Sequence, residues 1–167
     1  MTVAQTDRTI GPSGAHGNGR RWRCTARPIA SIDDTPSSQR VLETGFKEAY
    51  RRGCALVAVR TVEADAPRGP ARPAGGLRTV VAVEVTEAVA RLQDRYPTVP
   101  VEVELATGNT ADVLVAASRS AQLIVLNRHR HSGLLGPSLD PVTHHLLQRS
   151  DCPVLVLRDT GGDPLAR

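Results

Sequence analysis

Apolar runs alternate with helix-like segments along most of the chain. Four runs are nearly continuous and a fifth alternates valine with glutamate; they cover Pro28–Ile32, Ala55–Val62, Pro100–Leu105, Leu123–Leu126 and Pro153–Leu157. Continuous apolar runs of this length are typical of strands buried on both faces of a parallel sheet. The pattern predicts five short strands.

Helical periodicity fills the intervals between these strands. Val41, Leu42, Phe46 and Ala49 recur at helical spacing, and so do Val81, Val85, Ala88, Val89 and Leu92, although Val81–Val85 also fits a strand. Gly108-Asn109-Thr110 predicts a cap for a helix through Arg119. Asp140-Pro141 predicts a helix start, with a carboxylate N-cap and proline at the first position, and an end near Arg149. Five strands and four helices in βαβ order indicate an α/β fold with a five-stranded parallel sheet covered on both faces.

The remaining segments lack such periodicity. Residues 1–26 and 159–167 are predicted to be flexible tails around one domain at 27–158, because they offer too little apolar surface to offset ordering entropy. Residues 64–77 and 127–139 are predicted to be surface loops. In a sheet of this kind, ligands bind at the carboxyl ends of the strands, beside the point where the strand order reverses.

Composition narrows the function classes. Hydrophobic residues are 40% of the 167 residues, which is enough for a core, while aromatic residues are only 2%. The net charge of +4 could attract nucleic acid, but so few aromatics supply no stacking platform, so nucleic acid is not an expected partner. No apolar run spans a bilayer or resembles a secretory signal, so no membrane partner is expected and the cytoplasm is the expected compartment. Three widely spaced cysteines support neither a disulfide framework nor a zinc site.

Four segments resemble the universal stress protein family. They are Pro28-Ile29-Ala30-Ser31-Ile32-Asp33 with Thr35-Pro36-Ser37-Ser38, then Gly108-Asn109-Thr110-Ala111, Ala121-Gln122-Leu123-Ile124-Val125-Leu126, and Cys152-Pro153-Val154-Leu155-Val156-Leu157-Arg158. The resemblance covers roughly residues 27–158. It implies a Rossmann-like fold of the adenine nucleotide alpha hydrolase-like kind, a stress-response role without enzymatic activity, and a homodimer that pairs through the closing strand, here Val154, Leu155, Val156 and Leu157.

Members of that family that bind ATP carry a loop patterned Gly-x-x-Gly, nine residues, then Gly-Ser or Gly-Thr. The flanking strands place this loop without a gap, so that Asn127, Arg130, Asp140 and Pro141 stand at the four signature positions. Pro141 removes a hydroxyl and a backbone N–H from the helix start. Asp140 puts a carboxylate where the anion would lie, at the positive end of the helix dipole. We therefore expect no ATP binding in the usual pose.

An adenine-nucleotide site with altered phosphate contacts, for ATP or AMP, stays open as an alternative. The resemblance places Asp33 on the adenine and ribose side of the nucleotide, although a carboxylate there could equally cap the following helix. The candidate binding residues are Asp33, Thr35, Asn127, Arg128, Arg130, Gly133, Gly136 and Asp140.

The loop Asn127-Arg128-His129-Arg130-His131-Ser132 supports a third hypothesis, a module that binds an anion or an acidic protein partner through Arg128 and Arg130. A solvated basic loop that pairs with Asp140 is the simpler interpretation. A metal site joining His129 and His131 to His144 or His145 lacks a supporting cysteine or carboxylate cluster, and no metal is expected. No nucleophile–base arrangement supports catalysis.

Overall fold

The computed structural model of the chain describes residues 25–62, 74–128 and 140–158, and only the backbone of residues 74–78. Nine elements follow one another in it: β1 (Arg27–Ile32), α1 (Ser38–Arg52), β2 (Leu56–Val62), α2 (Ala74–Gln93), β3 (Val101–Thr107), α3 (Thr110–Ser118), β4 (Ala121–Arg128), α4 (Pro141–Arg149) and β5 (Val154–Arg158). The five strands, the four helices and their order confirm the sequence prediction.

The five strands form one parallel sheet in the order β3-β2-β1-β4-β5. The chain first moves outward from β1 to β3 and then crosses to the other side of β1, so the strand order reverses between β1 and β4. A crevice opens at such a reversal, because the helices that follow the two strands cover opposite faces of the sheet. The sheet therefore places its ligand cleft where β1 and β4 end.

Two apolar clusters cover the two faces of this sheet. On one face, Val41, Leu42 and Phe46 of α1 pack with the α2 valines against Ala30 and Ala58. On the other face, Leu114 of α3 and Leu146 of α4 pack against alternate residues of the same strands, among them Ile29, Val57, Ile124 and Leu126. Alternation of side chains along each strand thus supplies both layers.

Two glycines fit α1 into this packing. A Cβ on Gly45 would lie 3.0 Å from Ala30 Cβ and 3.0 Å from Leu56 Cδ1, so glycine lets the helix approach the sheet closely. Gly53 ends the helix at φ 62°, and its N–H reaches the carbonyls of Ala49 and Tyr50.

Several predicted boundaries were wrong. α2 begins at Ala74, inside the predicted 64–77 loop, and the ambiguous Val81–Val85 stretch is helical. β4 continues through Asn127 and Arg128, which were assigned to a loop, because both pair with β5 opposite Leu157 and Arg158. Residues 1–24, 63–73, 129–139 and 159–167 lie outside the described residues, and with them most of the predicted tails and loops.

Candidate functional site

A cleft of about 400 Å³ lies at the carboxyl edge of the sheet. The ends of β1, β2 and β4 and the starts of α3 and α4 form its walls, which is the position expected for a ligand site in this topology. Its volume lies within the range of about 300–1,000 Å³ that is usual for small-molecule sites. The residues that line it are Ser31, Ile32, Asp33, Asp34, Arg60, Thr61, Val62, Val81, Thr110, Leu126, Asn127, Asp140 and Val142.

Asp33 organises the turn that follows β1. Its carboxylate accepts hydrogen bonds from the Thr35 N–H at 2.7 Å, from the Thr35 hydroxyl, and from the Ser38 hydroxyl at 2.7 Å. The Asp33 N–H in turn donates to Ser38 Oγ at 2.8 Å. Ser37, the N-cap of α1, makes no side-chain capping bond, so Asp33 and Ser38 order this helix start instead. Asp33 thus shapes the turn before α1, with Thr35 and Ser38 as its partners, and it also lines the cleft. Nucleotide contacts of Asp33 and Thr35 stay predictions.

Asp140 forms the start of α4. It is the N-cap residue, is only 3% exposed, and precedes Pro141 in the first helical turn, as Asp140-Pro141 predicts. One carboxylate oxygen accepts from the Thr143 N–H at 3.0 Å, and the other accepts from the Thr143 hydroxyl at 2.6 Å. The carboxylate is therefore turned onto its own helix terminus, where it supplies negative charge at the positive end of the dipole.

A group that the sequence analysis missed lies where β2 ends and α3 begins. Arg60 NH1 donates to the carbonyl of Ile32 at 3.4 Å, and its NH2 lies 3.9 Å from a carboxylate oxygen of Asp34. The hydroxyls of Thr61 and Thr110 form a hydrogen bond of 2.6 Å between β2 and α3. The signal that could have identified Arg60 and Thr61 was their polarity near the end of the apolar run Ala55–Val62, because strand ends border the ligand edge.

The charges around the cleft differ from those of the whole chain. Among the described lining residues, three carboxylates and one guanidinium give a formal charge of −2, whereas the chain carries +4. The carboxylates are Asp33, Asp34 and Asp140, and the guanidinium is that of Arg60. Within this described lining, Arg60 is the one cation.

The other predicted site residues are distributed unevenly. Asn127 is buried and lines the cleft, whereas Arg128 follows it at the end of β4 and is not among the lining residues. Arg130, Gly133 and Gly136 lie outside the described residues.

Arg128 stands in register with Arg158 of β5, and Arg40 NH1 donates to the Arg158 carbonyl at 3.0 Å. An anion-binding surface around Arg128 stays a prediction, with Arg40 and Arg158 as residues that the sequence analysis missed.

Metal and thiol chemistry receive little support from the described part of the chain. Within residues 25–62, 74–128 and 140–158, no three histidine, cysteine or acidic side chains are grouped to hold a metal ion. His144 lies near Gln148, whereas His145 lies 3.6 Å from Asp112 of α3; His129 and His131 are outside the described residues.

Burial raises the pKa of the Cys152 thiol, and nearby Asp151 raises it further, although a hydrogen bond with Ser150 lowers it. A raised pKa disfavours the reactive thiolate.

β5 forms one edge of the sheet. Val154 and Val156 are partly covered by the α3–α4 layer, Leu157 packs toward the α1–α2 layer, and Leu155 is 37% exposed. These are the four residues predicted to pair across a dimer.

In the described part of the chain, none of the helices is both long and apolar enough to cross a membrane.

Comparison with known proteins supports the family resemblance found in the sequence. The model of the universal stress protein family matches residues 29–158. A universal stress protein of Mycobacterium tuberculosis is 32% identical over 133 residues, which are 79% of this chain and 45% of that protein. A second one from that organism is 30% identical over 136 residues, which are 78% of this chain and 43% of that protein. The chain thus spans less than half the length of these curated relatives.

Solved structures share the fold at lower identity. A universal stress protein of Lactobacillus plantarum superposes with a TM-score of 0.62 at 18% identity, covering 81% of this chain and 99% of that one. A universal stress protein in complex with cAMP superposes with a TM-score of 0.60 at 19% identity, covering 81% and 98%. An Arabidopsis thaliana family protein with AMP bound gives 0.54 at 16% identity, covering 84% and 98%.

Proposed function

The chain belongs to the universal stress protein family, and on that premise we propose that it is a non-enzymatic stress-response module whose cleft does not hold ATP in the family's usual pose. The observation that carries this proposal is the position of Asp140. Its buried carboxylate caps α4, at the helix terminus where the ATP-binding pattern of the family would place a glycine beside phosphate.

Charge and geometry both act against a polyphosphate at this terminus. Like charges at contact distance repel by about 4 kcal/mol at an intermediate effective dielectric constant. Pro141 adds to this, because it has no N–H to offer a phosphate oxygen at the first position of the helix. Both effects are intrinsic to the start of α4.

Calorimetric titration with ATP tests the proposal. We expect the parent protein to give no saturable heat up to millimolar ATP. The double substitution Asp140→Gly with Pro141→Ser restores the family pattern at these two positions, and it should bring ATP binding into the measurable range, at least about tenfold tighter than the millimolar limit set for the parent protein, which corresponds to about 1.4 kcal/mol. Asp140→Asn is the matched control, because it removes the charge but keeps the shape of the cap. Micromolar ATP binding by the parent protein, weakened by Asp140→Gly, would contradict the proposal.

A second candidate function is the binding of an adenine mononucleotide, with phosphate contacts away from α4. The observation in its favour is the cleft itself, which is large enough for such a ligand and combines Asp33 with apolar walls from Ile32, Val81 and Val142. Titration with AMP tests this function. Binding at micromolar to millimolar concentration that Asp33→Asn weakens supports it, and an absence of heat at millimolar AMP excludes it.

We also propose that the chain forms a homodimer through β5. A parallel sheet that ends on an apolar strand with Leu155 exposed leaves backbone groups and apolar surface for a second copy. Size-exclusion chromatography with light scattering should give twice the chain mass at micromolar concentration, and Leu155→Glu should shift the protein to monomer. Leu147→Glu is the control, because Leu147 is exposed on α4 rather than on the edge strand. A strict monomer for the parent protein would refute the dimer.

The location of the protein in the cytoplasm and the absence of a nucleic-acid partner remain expectations from the sequence. An acidic partner at Arg128 and Arg130 would bind with a strong dependence on salt concentration.

A further inference from the structure

The cleft concentrates its anion-binding groups in one corner, where β2 ends and α3 begins. Arg60 is the one cation of the described lining. Thr61 follows it in β2, and Thr110, the first residue of α3, is hydrogen-bonded to Thr61. The buried carboxylate of Asp140 lines the cleft at the start of α4. The cleft is therefore electrostatically asymmetric.

The guanidinium of Arg60 is positioned at the carboxyl edge of β1. Its side chain is only 15% exposed, and NH1 points to the carbonyl of Ile32, the last residue of β1. Its charge is not strongly neutralised, because the Asp34 carboxylate is 3.9 Å away and 88% exposed to screening solvent. A guanidinium has five N–H donors, and these two contacts leave several of them for a ligand.

The threonine pair adds a hydroxyl donor. Thr61 and Thr110 share one hydrogen bond of 2.6 Å, which uses one of their two hydroxyl protons. The second proton is then able to reach a ligand oxygen. Thr110 is also the first residue of α3, whose N-terminal dipole end borders the cleft at this point. Asp112 in the same turn offsets part of that positive charge, but its side chain is 75% exposed to screening solvent.

We propose that the β2–α3 corner is the phosphate subsite of this cleft and that Arg60 is its specificity-determining residue. The ligand class is a nucleoside monophosphate. Its single phosphate lies toward Arg60, Thr61 and Thr110 rather than at the N-terminus of α4. This inference rests on the proposed binding of a mononucleotide and adds the position and the selectivity of the phosphate.

The charge of the cleft favours one phosphate over three. A monophosphate carries about −1.5 to −2 charges near neutral pH, and one arginine with a helix terminus compensates much of that. The additional phosphates of ATP would extend into a cleft that already has a formal charge of −2 among its described lining residues. AMP should therefore bind more tightly than both adenosine, which lacks the anion, and ATP.

The test compares AMP with adenosine on the full chain by isothermal titration calorimetry. Arg60→Met keeps the length of the aliphatic stem and removes the charge, so it should weaken AMP binding by about 10- to 100-fold, the usual value of a hydrogen bond to a charged group. Adenosine affinity should change less than about twofold, which also reports that the cleft has folded. Arg60→Lys should retain part of the preference for AMP.

Two further variants control for charge. Arg95→Met removes an exposed arginine that pairs with Glu43 away from the cleft, and it should leave both affinities unchanged. Asp34→Asn removes the carboxylate nearest to Arg60, and it should strengthen AMP binding a few-fold.

Three results would overturn the inference, and each has a different meaning. Equal losses of AMP and adenosine affinity in Arg60→Met would mean that Arg60 only supports the structure. AMP binding that Arg60→Met leaves intact would preserve mononucleotide binding but move the phosphate elsewhere. An absence of binding for AMP and adenosine alike in the parent protein would refute both this subsite and the mononucleotide function.

Discussion

The starts of α3 and α4 border the same cleft and have closely related caps, yet they differ in what they offer to an anion. Both helices have nine residues and begin at the carboxyl edge of the sheet, and each has an Asx side chain as its N-cap. Asn109 accepts from the N–H groups of Ala111 and Asp112 and is exposed. Asp140 accepts from the Thr143 N–H and hydroxyl and is buried.

The difference between these caps is one of charge and burial. The neutral amide of Asn109 satisfies N–H groups of α3 without adding charge, and the acidic residue of the first α3 turn, Asp112, is 75% exposed to screening solvent. The buried carboxylate of Asp140 compensates the dipole of α4 more directly. Pro141 then removes an N–H from α4, while the corresponding residue of α3 is Thr110, which brings a hydroxyl into the cleft. The start of α3 therefore suits an anion better than the start of α4, where the family pattern would place phosphate.

The largest change in the free energy of unfolding is expected from Asp140→Ala, which removes the N-cap side chain of α4. It should lower the free energy of unfolding by about 3 kcal/mol, because a lost cap costs about 1 kcal/mol and an unpartnered buried Thr143 hydroxyl costs about 1–3 more. Urea unfolding followed by circular dichroism measures this change. Asp140→Asn is the control and should cost less than about 1 kcal/mol, because its amide can bond both Thr143 groups.

Equal destabilisation by these two substitutions would contradict this account of the cap. The negative charge itself, rather than the hydrogen bonds to Thr143, would then hold the start of α4.

The smallest change in the free energy of unfolding is expected from Asn109→Asp. This substitution also tests most directly the difference between the α3 and α4 caps. This change gives α3 the charge of α4, so it should stabilise the fold by about 0.3–1 kcal/mol through the helix dipole. It should also weaken AMP binding several-fold, because the new carboxylate lies one residue from Thr110. Thermal unfolding and calorimetry with AMP measure the two changes.

Asn109→Ala distinguishes the loss of the cap hydrogen bonds of α3 from the addition of a negative charge. It should destabilise the protein by about 1 kcal/mol while changing AMP affinity less than Asn109→Asp does. An AMP affinity that Asn109→Asp leaves unchanged would place the phosphate away from α3.

Much of the fold was predictable because its signals are local. Four nearly continuous apolar runs and one alternating run indicated the five strands, and Asp140-Pro141 indicated the start of α4 together with its cap. The end of β4 was not predictable in this way. Asn127 and Arg128 have the polarity of a loop, and they join the sheet because β5 provides backbone partners opposite them.

The candidate site was only partly predictable for the same reason. Asp33, Asn127 and Asp140 follow or precede recognisable elements, and all three line the cleft. Thr61 and Thr110 are 49 residues apart and are brought within 2.6 Å by the pairing of β2 with its neighbours and the packing of α3. No local pattern relates two threonines at that separation.

By itself, the sequence determined the α/β class, the parallel sheet and the substitution of a carboxylate and a proline at the α4 start, because each depends on residue type and short-range periodicity. The tertiary structure decided where those groups lie relative to one another. Only the sheet order places Arg60 over the end of β1, and only the packing of α4 buries the Asp140 cap at the edge of the cleft. Long-range packing, rather than any property of α4 alone, thus places Arg60 at a corner of the cleft distinct from the phosphate position that the family pattern indicates.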